Sequence, residues 1–99
     1  MPTFPLRLEK TYWLRGFFNV GVDFQRFVTA TDGPFDLYLG DAVMPTSGRV
    51  SRRDNTNATP RIFGRKALAE FFQRHKQGDV VQVEIISPTA MRLTRGPSA

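Results

Sequence analysis

Hydrophobic and polar residues alternate along most of this chain with the period of two that marks a strand with one buried face. Phe4, Leu6 and Leu8 alternate with Pro5, Arg7 and Glu9, predicting a first strand. Phe17 to Val20 reads as a second, ended by Gly21, and Phe35, Leu37 and Leu39 alternate with Asp36 and Tyr38 as a third. Arg49–Arg53 and Arg61–Phe63 read as two short strands, while Ala42 to Gly48, with Pro45 and Ser47, reads as a loop or hairpin end. Val80 to Ile86 is the strongest strand signal, and Met91–Leu93 returns antiparallel after the turn at Ser87-Pro88-Thr89.

Two segments change period. Asp23 is placed to cap a short helix whose Phe24, Phe27 and Val28 fall at i, i+3 and i+4. From Arg65 to Lys76, Leu68, Phe71, Phe72 and His75 form one apolar stripe, with Gly78 as a C-terminal stop. Seven short strands and two short helices, with turn chemistry throughout and no linker or repeat, predict a single domain over residues 1–99. It is mainly β, an open, mostly antiparallel barrel plugged by helices.

Composition adds two facts. Forty per cent apolar residues and nine phenylalanines supply material for one core. The absence of cysteine removes disulfides, zinc fingers and iron–sulfur clusters and fits a reducing cytoplasm. No apolar run reaches the length of a membrane span, and the N-terminus lacks a signal-peptide core, so neither membrane nor secretion is expected.

Charge is unevenly placed. Arg49 to Lys66 holds six basic residues (Arg49, Arg52, Arg53, Arg61, Arg65, Lys66) against Asp54 alone. Its net +5 equals that of the whole chain, so the remaining residues balance. Between Asp54 and Pro60 stand Asn55, Thr56, Asn57 and Thr59, small hydrogen-bonding side chains of the kind that reach phosphates and base edges. The same composition also describes a solvated polar loop. A basic balance favours polyanionic partners, nucleic acid or an anionic membrane surface, without choosing between them. A second mixed stretch, Lys10-Thr11-Tyr12-Trp13-Leu14-Arg15, combines cations, aromatics and a hydroxyl. Tyr12 and Trp13 there read first as core or barrel-rim aromatics.

No catalytic constellation emerges. His75 is the only histidine and lies on the helix's apolar stripe, which gives it a structural reading. No G-x-S-x-G elbow or Gly-rich phosphate loop is present. Asp79 belongs to a turn, and Glu84, followed by two isoleucines, reads as the solvent face of its strand. No enzyme, metal site or cofactor is expected.

Taken in order, the elements resemble a DNA-binding pseudobarrel, the superfamily of the plant B3 domain and of specificity domains in some bacterial restriction endonucleases. The resemblance spans Leu6 to Leu93. It rests on Phe17-Phe18-Asn19-Val20-Gly21-Val22 with the helix at Asp23-Phe24-Gln25-Arg26-Phe27, on Phe35-Asp36-Leu37-Tyr38-Leu39-Gly40, on Pro60-Arg61-Ile62-Phe63-Gly64, and on Leu68-Ala69-Glu70-Phe71-Phe72 leading to Gly78-Asp79-Val80-Val81. Gly64-Arg65-Lys66 stands where plant members carry a tryptophan, so the bacterial restriction-system domains are nearer.

The resemblance implies a seven-stranded open pseudobarrel in a bacterial cytoplasm, binding double-stranded DNA without catalysis and sequence-specifically. It implies two arms that grip the major groove from one end of the barrel. The first corresponds to Lys10, Thr11, Tyr12, Trp13 and Arg15, and the second to Arg49 through Arg61. Within the second, Arg52, Arg53 and Arg61 suit phosphates or guanine, Asn55 and Asn57 suit adenine, and Thr59 completes the tip. Lys10, Arg15, Arg65 and Lys66 suit backbone contacts. On this reading Arg52 and Arg53 are dispensable for stability. A protein- or peptide-binding barrel, with an apolar patch around Tyr12, Trp13 and Phe17, is the alternative.

Overall fold

Strand β1 (Thr3–Arg7) starts a chain whose later strands wrap away from it and return. It is followed by α1 (Lys10–Arg15), β2 (Phe17–Asn19), a 3-10 turn (Gln25–Phe27), β3 (Gly33–Leu39) and β4 (Thr46–Ser51). Then come β5 (Arg61–Phe63), α2 (Arg65–Gln73), β6 (Val80–Ser87) and β7 (Ala90–Arg95). The computed structural model describes residues 1–53 and 58–96. The seven strands among them form one sheet in the order β1-β6-β7-β3-β4-β5-β2. Neighbours are antiparallel except β3 and β7, which run parallel. The outermost strands β1 and β2 do not pair with each other, so the sheet curls into an open half-barrel.

Register explains what fills it. Phe18 stands opposite Ile62, and Ile62 opposite Val50. Phe4 pairs with Val83, Val83 with Leu93, and Leu93 with Leu39. These rows put one face of every strand inside, where Phe18, Phe35, Leu37, Ile62, Met91 and Leu93 are fully buried. The mouth is plugged by α2 through Leu68, Phe71 and Phe72. Burial of that stripe, rather than helix propensity, stabilises a helix of nine residues.

Four expectations are corrected by the packing. The helix expected from Asp23 is a single 3-10 turn, although its apolar stripe still seals the barrel, with the Phe24 ring 5.0 Å from that of Phe4. The stretch from Lys10 to Arg15, expected as a projecting arm, is an α-helix. Strand β4 starts at Thr46, because Thr46, Ser47 and Gly48 pair with Leu37, Asp36 and Phe35. Helix α2 stops at Gln73, where Arg74 and His75 turn back to the carbonyls of Phe71 and Phe72.

Helix α1 exists because of what it touches. Lys-Thr-Tyr-Trp-Leu-Arg has modest intrinsic propensity and is too short to hold alone. Trp13 Nε1 donates to the His75 carbonyl at 2.9 Å, and Gln73 Nε2 donates to the Trp13 carbonyl at 3.0 Å. Gly16, at φ +72, ends the helix, and its carbonyl accepts the Gly64 N–H at 2.9 Å. A Cβ at Gly16 would overlap the Arg65 carbonyl oxygen, so the two helices approach there as closely as bare backbone allows. Trp13→Phe is expected to cost about 1 kcal/mol through the lost hydrogen bond, readable as a melting point lower by about 4–8 °C. An unchanged melting point would mean that α1 is not anchored through this bond.

Candidate functional site

The outer face of the β2–β5–β4 ribbon carries chemistry that the core does not need. Alternation turns Phe18, Ile62 and Val50 inward, and so turns Phe17 and Asn19, Arg61 and Phe63, and Arg49 outward. Phe17 and Phe63 are half-buried but lie outside the cluster that packs against the core. Their rings stand 5.8 Å apart, and the Tyr12 ring meets Phe17 edge-on at 5.4 Å. The Arg61 guanidinium sits 4.9 Å above the Phe17 ring, while its Nε donates to Asn19 Oδ1 at 2.9 Å. Arg49, exposed, is the direct cross-strand neighbour of Phe63. Among the described residues no carboxylate lies within ion-pair distance of Arg49 or Arg61.

Backbone strain brackets this ribbon. Ala58 and Arg65, on either side of β5, hold φ values of 56° and 54°, left-handed conformations that cost a non-glycine residue roughly 1–2 kcal/mol. The Arg65 strain arises where its carbonyl meets Gly16.

The residues proposed from sequence fall into distinct groups. Lys10, Thr11 and Arg15 are exposed on α1, and Arg65 and Lys66 are exposed at the start of α2, with Lys66 Nζ 3.9 Å from Glu70. Tyr12 and Trp13 are half-buried and pack against the core, which is the rim role that their composition first indicated. Arg53 is exposed, with Nε 3.7 Å from the Asp32 carboxylate, a pair worth little in water. Thr59 is buried, with 5% of its surface exposed. Asn55 and Asn57 lie outside the described residues.

Arg52 is the clearest departure. Its Nε donates to the Thr29 carbonyl at 3.1 Å, Nη1 to Ala58 at 3.2 Å, and Nη2 to Gln25 and Val28 at 3.0 and 3.1 Å. Its own N–H donates to Asp32 Oδ1 at 2.9 Å. Four of the five guanidinium N–H groups are therefore held by backbone of the same chain. The guanidinium ties the 3-10 turn, the loop before β3 and the hairpin together; it is a clasp and not a reader.

The expected pair of arms on one side is also corrected. Phe17 pairs with Phe63 and Asn19 with Arg61, so α1 leaves one end of the ribbon while the β4–β5 hairpin leaves the other. Two residue steps, about 7 Å, separate those ends. Of the described cationic residues, Lys10 and Arg15 therefore stand at one end of β2–β5–β4 and Arg53 at the other.

Sequence reading missed Asn19 and Phe63, and named Phe17 only for the alternative, as part of a protein-binding patch. One signal was available: adjacent phenylalanines in a strand point to opposite faces, so Phe17-Phe18 had to place one ring outside. Compared with protein-family models, curated proteins and solved structures, the chain matches none. Among the described residues no helix is long and apolar enough to cross a membrane.

Proposed function

We propose that this chain is a non-catalytic double-stranded-DNA-binding domain whose contact surface is the outer face of β2–β5–β4. The observation that carries the proposal is the pair Arg49 and Arg61, which stand beside the Phe17–Phe63 rings without a carboxylate partner among the described residues. The Arg61 guanidinium, held against the Phe17 ring, keeps its direction, and a duplex offers it and the exposed Arg49 phosphates and guanine edges. Arg53 at the hairpin end and Arg15, Arg65 and Lys66 at the other extend the positive strip for backbone contacts. The open half-barrel is the architecture that the resemblance to DNA-binding pseudobarrels implies. Sequence preference and a bacterial restriction or regulatory setting belong to that resemblance and are proposed with it.

Anisotropy titrations on random duplexes test the proposal. With about six phosphates neutralised, log affinity falls against log salt with a slope near −5. Arg49→Gln with Arg61→Gln lowers that slope by about 2 and weakens binding roughly tenfold or more. A flat salt dependence, or a double variant that binds like the parent, removes the proposal. A second reading, docking of a protein partner, has its support elsewhere. Val43 and Met44 on the β3–β4 loop are 88% and 74% exposed, and that loop is held by Arg92 donating to the Gly40 and Ala42 carbonyls.

A further inference from the structure

A second cationic cluster lies beyond the far end of α2, and the proposed duplex surface does not include it. Arg74, His75, Lys76, Asp79 and Arg95 line an open cavity of about 370 Å³ where α2, the turn into β6 and the end of β7 meet. The register explains why Arg95 is there. Met91, Leu93 and Arg95 occupy alternate positions of β7, and Arg95 stands opposite the buried Val81, so it continues the inward row at the barrel's rim. An arginine stands where the row calls for an apolar residue, exposed and at the edge of the cavity.

The cluster is not neutralised internally. Among the described residues neither Arg74, Lys76 nor Arg95 has a carboxylate within ion-pair distance. The one acid in the lining, Asp79, accepts the backbone N–H of Lys76 at 2.9 Å and so closes the turn. The helix end itself does not repel an anion as strongly as an open C-terminus does. The Phe71 carbonyl accepts from Arg74 N and His75 Nδ1, the Phe72 carbonyl from His75 N, and the His75 carbonyl from Trp13 Nε1. Arg74 and Lys76 gain from the helix dipole in that position, which accounts for two of the cations. It does not account for Arg95, which arrives from another element. With Asp79 also in the lining, the three cations leave a net positive charge of two around the concavity, which an anion would offset.

From this convergence we infer that the cavity between the α2 C-terminus and the end of β7 is a binding site for phosphate groups, with Arg74, Lys76 and Arg95 as its cations. The inference does not depend on the duplex surface of β2–β5–β4. Phosphate oxygens there come from a small phosphorylated compound or from a nucleic-acid backbone, and the two are separable.

The protein's only tryptophan supplies the reporter, because the Trp13 indole N–H bonds the His75 carbonyl in the cavity wall. The experiment follows the Trp13 indole resonance by ¹H–¹⁵N NMR in the full chain at constant ionic strength, during titration with inorganic pyrophosphate and then with a short duplex. Saturable displacement is expected with at least one of them, weakened about tenfold in Arg95→Gln and in Lys76→Gln and unchanged in Arg26→Gln, an exposed arginine outside both surfaces. Both substituted side chains are exposed, and each variant's melting point shows that it has folded. Loss confined to pyrophosphate assigns a small ligand, and loss of the duplex response assigns backbone phosphate; either upholds the site. No saturable displacement by pyrophosphate or duplex, or displacement that survives both substitutions, overturns it. Failure at this cavity with duplex affinity still dependent on Arg49 and Arg61 leaves the duplex reading standing, and the reverse outcome separates them equally.

Discussion

Arg52→Ala is expected to destabilise the protein by about 2–4 kcal/mol, because it strips charged donors from carbonyls that are partly removed from water. For a domain of this size that corresponds to a melting point lower by about 10–25 °C. The carbonyls of Gln25, Val28, Thr29 and Ala58 belong to three separate segments, and one guanidinium satisfies all of them. Arg52→Lys keeps the charge but replaces a planar fork by a single ammonium, so it should recover less than half of the loss. Arg53→Ala, at a side chain 92% exposed, should leave the melting point within about 2 °C. Thermal denaturation of the three variants reads all of this. Equal melting points for Arg52→Ala and Arg53→Ala would return Arg52 to the solvent-facing role that the sequence proposed.

Phe72→Ala is expected to cost about 3–5 kcal/mol, and Phe71→Ala to fall at the lower end of that range. Phe72 has no exposed surface and stands 6.3 Å from Phe18 in the middle of the barrel, whereas Phe71 keeps 7% exposure at the rim. Its ring also leans on His75 at 5.2 Å, a neighbour able to move into the space left by truncation. Denaturant unfolding at constant m-value measures both losses. A larger loss at Phe71 than at Phe72 would mean that α2 is rotated about its axis relative to the sheet.

Much of the fold could be read from alternation because one face of every strand is buried. Phe35, Leu37 and Leu39, or Val81, Val83 and Ile85, leave no second way to place the strand. The start of β4 was less legible, since Thr46, Ser47 and Gly48 have no apolar side chain to mark the inward face. Gly48 faces inward all the same, because a Cβ there would meet Leu37 and backbone. Helix α1 was illegible for a different reason: its stability comes from His75 and Gln73, some sixty residues away.

The candidate site divides the same way. Arg49 and Arg61 were named from charge, and the structure keeps both on the outer face. Arg52, with the same charge and three positions after Arg49, was assigned the same task, yet the carbonyls of Gln25, Val28 and Thr29 hold it. Charge tells that a guanidinium needs acceptors; it does not tell whose acceptors are nearest.

By itself the sequence determined the seven strands, the plugging face of α2, the single core and the concentration of cations between Arg49 and Lys66, since these follow from local period and composition. The tertiary structure alone decided that Lys10–Arg15 is helical, that Arg52 clasps the fold, that Lys10 and Arg15 stand at the opposite end of the ribbon from Arg53, and that Arg95 joins Arg74 and Lys76. The first two depend on which distant backbone comes within about 3 Å of a side chain, and the last two on strand register, both fixed only when the sheet closes.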